Sequence, residues 1–209
     1  MSRVVHWLKS RDYSGNRKMQ MAFFYDQTRC IGCYACVVSC KQWNQIPPGP
    51  AIWRKVLTIE RGKYPDVSVH FLSMACCHCE NPVCLKVCPA HAISKREKDG
   101  IVIVDKEICV GGMICGFACR KACPFDAPQF EAEENPKMQK CNFCINRLEE
   151  NRKPICVEAC ITNALDAAPL EQLKRRYHQI SETRDFAYSQ HLKPAVFFKP
   201  KHKENEVSD

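Results

Sequence analysis

The sequence predicts an α+β chain of short strands and short helices strung between long cysteine-bearing loops, with the basic unit duplicated. Three observations carry this expectation. The 17 cysteines among 209 residues fall into four tight groups. The conventional core is thin for the length, because those cysteines are counted among the 45% of residues that are apolar. The segments flanking the groups also repeat: an apolar, β-prone run ends in an aspartate four positions before a group's first cysteine, Asp26 before Cys30 and Asp105 before Cys109, and "CPAHAI" (88–93) matches "CITNAL" (160–165) in its cysteine, alanine and aliphatic offsets.

From the N-terminus, "MSRVVHWLKSRDYSGNRKMQ" has neither an apolar signal core nor a twin arginine, so no secretory signal is expected ahead of the first group. "FFYDQTRC" (23–30) and "IVIVDKEIC" (101–109) read as strand, turn and ligand loop. Between groups, "AIWRKVLTIERG" (51–62) and "VSVHFLSM" (67–74) read as a hairpin. Short helices are expected at "NPVCLKVC", "CINRLEENRK" and "PLEQLKRRY", the last with Pro169 near its start. The charged tail "KPKHKENEVSD" lacks an apolar pattern and is expected to be mobile. No stretch approaches the roughly 18 apolar residues of a membrane span, so membrane association is expected only through a partner.

The cysteine spacing points to metal. A disulfide scaffold is the competing reading of so many cysteines, but the count is odd and the residues are clustered. "CIGCYACVVSC" places Cys30, Cys33, Cys36 and Cys40 in C-x2-C-x2-C-x3-C, in which three close thiolates wrap one iron–sulfur cube and the fourth points to another. Gly32 would let the backbone approach the sulfides. In "CCHCENPVCLKVCP", pairing Cys76 with Cys79 keeps the two-residue gap, adds Cys84 and Cys88, and leaves Cys77 as the spare thiol, so 16 of the 17 cysteines remain as ligands. His78 is expected outside the ligand set, on the surface or behind the ligands. The fourth group offers Cys141, Cys144, Cys156 and Cys160, which alone would read equally well as a zinc ribbon.

The third group, "CVGGMICGFACRKACPFDAP", admits two registers. Read forward from Cys109, Gly112 stands where a second ligand is due, which predicts a three-iron cluster unless Cys123 replaces it. Read backward, Cys123-Pro124 is the terminal, cluster-swapping ligand, and Cys109, Cys115 and Cys119 complete a four-iron set on a lengthened loop. In that register Gly111 and Gly112 give the first gap slack. The total of well-placed thiols favours the second register.

The stretches "CIGCYACVVSCK", "CCHCENPVCLKVCPAHAISKRE", "DGIVIVD", "CPFDAPQF", "KCNFCINRLEENRKPICVEACITNALD" and "LKPAVFFKPK" resemble the iron–sulfur electron-transfer subunit of dimethyl sulfoxide reductase-type molybdenum enzymes, a family related to the beta subunits of nitrate reductase and formate dehydrogenase. The resemblance implies two interleaved ferredoxin-like lobes, residues 20–50 plus 135–168 and residues 65–130, followed by a C-terminal extension, 169–209, for subunit contacts. It implies four [4Fe-4S] clusters: Cys30, Cys33, Cys36 and Cys160; Cys141, Cys144, Cys156 and Cys40; Cys76, Cys79, Cys84 and Cys123; Cys109, Cys115, Cys119 and Cys88. It further implies a molybdopterin catalytic partner and a membrane quinone-reactive partner, with the third-group cluster nearest the latter. The complex would be membrane-associated through those partners, cytoplasmic or exported with the catalytic subunit. Ile161 departs from the family pattern, which usually has proline there; no ligand is lost.

No phosphate loop, dinucleotide fingerprint or nucleophile elbow appears, so substrate chemistry is expected on another subunit. His6, His70, His91, His178, His191 and His202 are scattered and read as surface or packing residues. The formal charge of +8 suggests nucleic acid at first sight. Four clusters at about −2 each would offset it, so internal compensation is preferred to a nucleic-acid partner. Lys41, Lys86, Arg120, Lys121 and Lys140 adjoin ligands and could raise cluster potentials; a solvated face is the competing reading for each. Two other classes remain at this level: a free-standing soluble polyferredoxin and a structural zinc protein.

Overall fold

The apolar run before the first cysteine group becomes a strand buried on both faces, and the rest of the molecule is arranged around it. The computed structural model describes residues 19–178, 182–183 and 185–201. Its elements in chain order are β1 (Met21–Asp26), α1 (Ala35–Trp43), β2 (Arg54–Lys63), β3 (Asp66–Ala75), α2 (Val83–Lys86), β4 (Ile93–Lys95), β5 (Val102–Val104), α3 (Gly112–Cys115), α4 (Ala118–Ala122), α5 (Ile145–Glu149), α6 (Ile155–Glu158), β6 (Leu165–Pro169), α7 (Leu170–Arg176) and β7 (Val196–Lys199). This is a mixed α+β chain of small elements.

β1 pairs antiparallel with β6, Tyr25 opposite Leu165, and parallel with β7, Phe23 opposite Val196. Alternation along the strand then divides its side chains. Phe23 and Tyr25 enter the main core with Phe143, Cys36, Cys141 and Cys156. Ala22 and Phe24 face the other way, onto Leu173 of α7, and Phe24 stacks on Tyr177 with ring centroids 3.7 Å apart. A second small sheet repeats the arrangement: β4 and β5 pair antiparallel with Ile93 opposite Val104. In each sheet a strand leading into a cysteine group pairs with a strand leaving another.

β2 and β3 form the expected hairpin, registered from Arg54–Ala75 to Lys63–Asp66. Its base is buried on both faces, Leu72 and Met74 on one and Arg54 with Ser73 on the other. The segment expected as a C-terminal extension supplies β7 to the β1 sheet and packs α7 against it. The tail beyond Lys201 and residues 1–18, including His6 and His202, lie outside the described residues.

The helices are short because each serves a ligand loop. α1 places Cys36 and Cys40 four residues apart on one buried face while Val38 points out, 63% exposed. α2 and α6 share a plan: Pro82 and Pro154 stand just before the helix, Cys84 and Cys156 lie within it, and Cys88 and Cys160 follow. Proline's fixed φ sets the helix entry without sacrificing a helical hydrogen bond.

Candidate metal centre

Three hollows of similar size open among the thiols. One, of about 350 Å³, is lined by Cys88, Cys109, Cys115 and Cys119. A second, of about 380 Å³, is lined by Cys76, Cys79, Cys84 and Cys123, with Cys77 also on its wall. A third, of about 320 Å³, is lined by Cys30, Cys33, Cys36 and Cys160. These are three of the four groupings that the resemblance implies. The remaining cysteines are Cys40, Cys141, Cys144 and Cys156; burial first, and then the neighbouring thiols, Cys156 and Cys144 at Cys40 and Cys40, Cys144 and Cys156 at Cys141, push the first two up.

The loops turn thiols inward by spending backbone strain. Each cysteine group contains a non-glycine residue in the left-handed region: Tyr34 (φ 58°), His78 (φ 44°), Phe117 (φ 57°) and Phe143 (φ 63°). Each such residue costs roughly 1–2 kcal/mol, and strain of this kind gathers at functional sites. Gly32 (φ +69°) adds a packing reason to the conformational one: a Cβ there would lie 2.4 Å from the Phe71 ring.

The third group is not slack at its glycines. Gly112 N–H donates to Pro136 O at 2.8 Å. Asn135 accepts from Met113 N at 3.2 Å and donates to Val110 O at 2.9 Å. The lengthened loop is therefore pinned by residues 135–136, and its extra length is taken up by α3 followed by the left-handed Gly116 and Phe117.

The thiols sit in a low-dielectric setting. Burial, reinforced by neighbouring cysteines, pushes Cys40, Cys79 and Cys84 up to about 12 and Cys119 up to about 11. Without metal they are protonated at neutral pH, so binding must displace protons. Backbone donors already point at two sulfurs: Ala164 N–H to Cys160 Sγ at 3.2 Å and Phe143 N–H to Cys141 Sγ at 3.4 Å.

The donor set fits an iron–sulfur cluster. Among the described residues, no three His, Cys, Asp or Glu side chains close on a point that one metal ion could fill. Four thiols spaced around a hollow suit a polynuclear group with all-thiolate ligation.

Comparison with known proteins agrees. Residues 67–169 match a 4Fe-4S dicluster domain. The sequence is 36% identical over 189 residues to one chain of the anaerobic dimethyl sulfoxide reductase of Escherichia coli K12, covering 87% of this protein and 89% of that one. This protein belongs to the family of iron–sulfur electron-transfer subunits of dimethyl sulfoxide reductase-type enzymes. A subunit of the sulfite dehydrogenase of Allochromatium vinosum is 38% identical over 165 residues, covering 69% of this protein and 67% of the relative. The thiosulfate reductase electron transfer subunit of Salmonella typhi is 37% identical over 155 residues, covering 73% and 78%. Like other members of this family, the protein carries 4Fe-4S clusters and moves electrons within a multi-subunit oxidoreductase; it is not itself the catalyst. Among the described residues no helix is long and apolar enough to cross a membrane.

Burial decides between the alternatives that the sequence leaves open for Lys140 and His78. Lys140 does not lie on a solvated face: it is 2% exposed, lines the Cys76–Cys123 hollow, and donates to Val102 O and, at 3.1 Å, to Cys141 O. Lys86, Arg120 and Lys121 are exposed, and Lys41 is only half-buried. His78 is also off the surface, buried with Nδ1 accepting from Val102 N–H at 3.1 Å and its ring edge-on to Phe143. Burial, with Lys140 and Lys95 nearby, holds it neutral. His70 is buried against Ser68 Oγ at 3.1 Å, whereas His91, His178 and His191 are exposed. Arg54 and Arg147, both buried, carry no sequence signal beyond their strand and helix positions.

Proposed function

We propose that this protein is a four-cluster wire between a molybdopterin catalytic subunit of the dimethyl sulfoxide reductase type and a quinone-reactive membrane subunit. The observation that carries the reading is the gathering of thirteen cysteines around three similar hollows, four at each of two and, with the spare Cys77, five at the third. Cys30, Cys33, Cys36 and Cys160 hold one [4Fe-4S] cluster; Cys40, Cys141, Cys144 and Cys156 the next; Cys76, Cys79, Cys84 and Cys123 a third; Cys88, Cys109, Cys115 and Cys119 the last. A [4Fe-4S] cluster held by each set would supply a one-electron carrier.

The protein's own residues do the rest. The β1–β6 and β4–β5 pairings support interleaved lobes, residues 20–50 with 135–168 and residues 65–130, because each brings the start of one cysteine group beside the end of another. Val196–Lys199 complete the first lobe's sheet, and the segment 169–209 serves subunit contacts. Pro124, Phe125 and Leu192 wall the hollow of Cys76, Cys79, Cys84 and Cys123 against water. The complex is held at the membrane by its anchor subunit. Exposed Ile108, Val110, Met113 and Ile114 surround the last cluster's loop, and such an apolar rim suits contact with that anchor.

The test is anoxic co-purification. The protein should bring down a large molybdenum-containing subunit and an apolar membrane subunit. The complex should bleach on addition of a quinol and recover its colour with dimethyl sulfoxide. A protein that purifies alone and is not reoxidised by any sulfoxide or N-oxide through a partner overturns the reading.

A further inference from the structure

Among the described residues Arg54 is one of two buried arginines with an unpartnered guanidinium nitrogen, Arg147 being the other. It sits at the start of β2, 3% exposed, opposite Ala75 in the hairpin register. Its Nη1 donates to Ser73 Oγ at 3.1 Å, and Ser73 Oγ lies 3.6 Å from Cys36 Sγ. Its guanidinium carbon stands 4.8 Å from the centroid of Phe23, which in turn stacks on Phe143 between Cys141 and Cys144. Nη2 is buried and makes no hydrogen bond. A buried guanidinium with an idle donor is costly unless an anion answers it.

Burial opposes the charge on Arg54, and the groups that outweigh burial are thiols: Cys156, Cys36, Cys141 and Cys40. One belongs to the first ligand set and three to the second. Resting on the ligand sets proposed above, we infer that Arg54 is a potential-setting residue of the wire, its Nη2 donating to sulfur of the cluster held by Cys40, Cys141, Cys144 and Cys156 and its charge shared with the neighbouring first cluster. A fixed cation beside a cluster stabilises the reduced, more negative form, so Arg54 raises the potential at this junction. Ser73 and Phe23 hold the guanidinium in place: one fixes Nη1, the other supports the flat face.

The experiment compares the wild-type complex, Arg54→Met and Arg54→Lys by iron analysis and by EPR-monitored redox titration. In Arg54→Met, one or two of the four midpoint potentials should fall by at least a tenfold change in the oxidised-to-reduced ratio, about 59 mV for a one-electron couple. The cluster of Cys88, Cys109, Cys115 and Cys119 should be unmoved, which separates tuning from general damage. Arg54→Lys keeps charge but loses the fork, and should shift the same potentials less. Full iron content with all four potentials unchanged overturns the inference.

Should Arg54→Met fail to assemble, wild-type complex labelled with guanidino-15N arginine decides. A 15N coupling to a reduced cluster, lost in Arg54→Lys, supports the contact; no such coupling overturns it. A wild-type complex without iron and sulfide would instead overturn the ligand sets themselves.

Discussion

Phe117 lies across Gly112: a Cβ added to Gly112 would come within 2.2 Å of the ring. Phe117 also meets Phe130 edge-on, centroids 4.8 Å apart. The position where the third group lacks a cysteine is thus closed by an aromatic ring. Gly112→Cys should lose about 1–3 kcal/mol from overpacking and gain no iron. Thermal denaturation and iron per chain check this; a variant of unchanged stability that no longer needs Cys115 would contradict it.

In the proposed ligand sets Cys115 takes the second ligand place that the forward register leaves vacant. Cys115→Ala is expected to convert the last cluster to a three-iron centre, visible in oxidised-state EPR in stoichiometric amount and absent from the wild type. The same signal in the wild-type protein at one per chain would restore the forward register.

Cys77 shares its hollow with four other cysteines, yet its thiol reaches Ala75 O at 3.7 Å. Cys77→Ala should keep the full iron content at a cost of about 1 kcal/mol, whereas Cys123→Ala should lose the site. Iron analysis of both variants reads the result, and equal losses would make Cys77 a ligand.

Asp166 of β6 gathers Lys153 at 2.7 Å, Arg176 at 2.5 Å and the Tyr177 hydroxyl at 2.8 Å, tying α7 to the β1 sheet. Burial alone would raise its carboxyl, but Lys153 and Tyr177 outweigh that and hold it below the ordinary range. The contribution is therefore present above the unfolded carboxyl's pKa, near 4, and disappears as pH falls through the lower folded value. Asp166→Asn should cost about 2 kcal/mol at pH 7, and the gap in Tm between variant and wild type should close only below about pH 4. A gap that closes between pH 7 and pH 5 would contradict this.

The parts of the fold most legible in sequence are those written as local pattern. The strand before Cys30, the hairpin around residues 51–75 and the helix after Pro169 all follow from alternation or a proline start. α1 is hidden, because Val37 and Val38 disfavour helix and its formation depends on directing Cys36 and Cys40 to one side. β7 is equally hidden as a strand beside β1, since its partner lies far back along the chain, Val196 against Phe23. Cysteine spacing marks the ligand loops, but burial decides what surrounds them. Lys140 and Lys121 look alike in sequence, one buried on the wall of the Cys76–Cys123 hollow and the other in solvent. Arg54 stands in an ordinary amphipathic strand, and only the folded hairpin turns it toward the thiols.

The most direct test of the four-cluster wire is iron and acid-labile sulfide per chain in anoxically purified complex, with the partner subunits' own metals subtracted. About sixteen of each is predicted, four for every set of four cysteines. About eight of each would contradict two of the four sets, and about four zinc ions without sulfide would contradict the wire altogether.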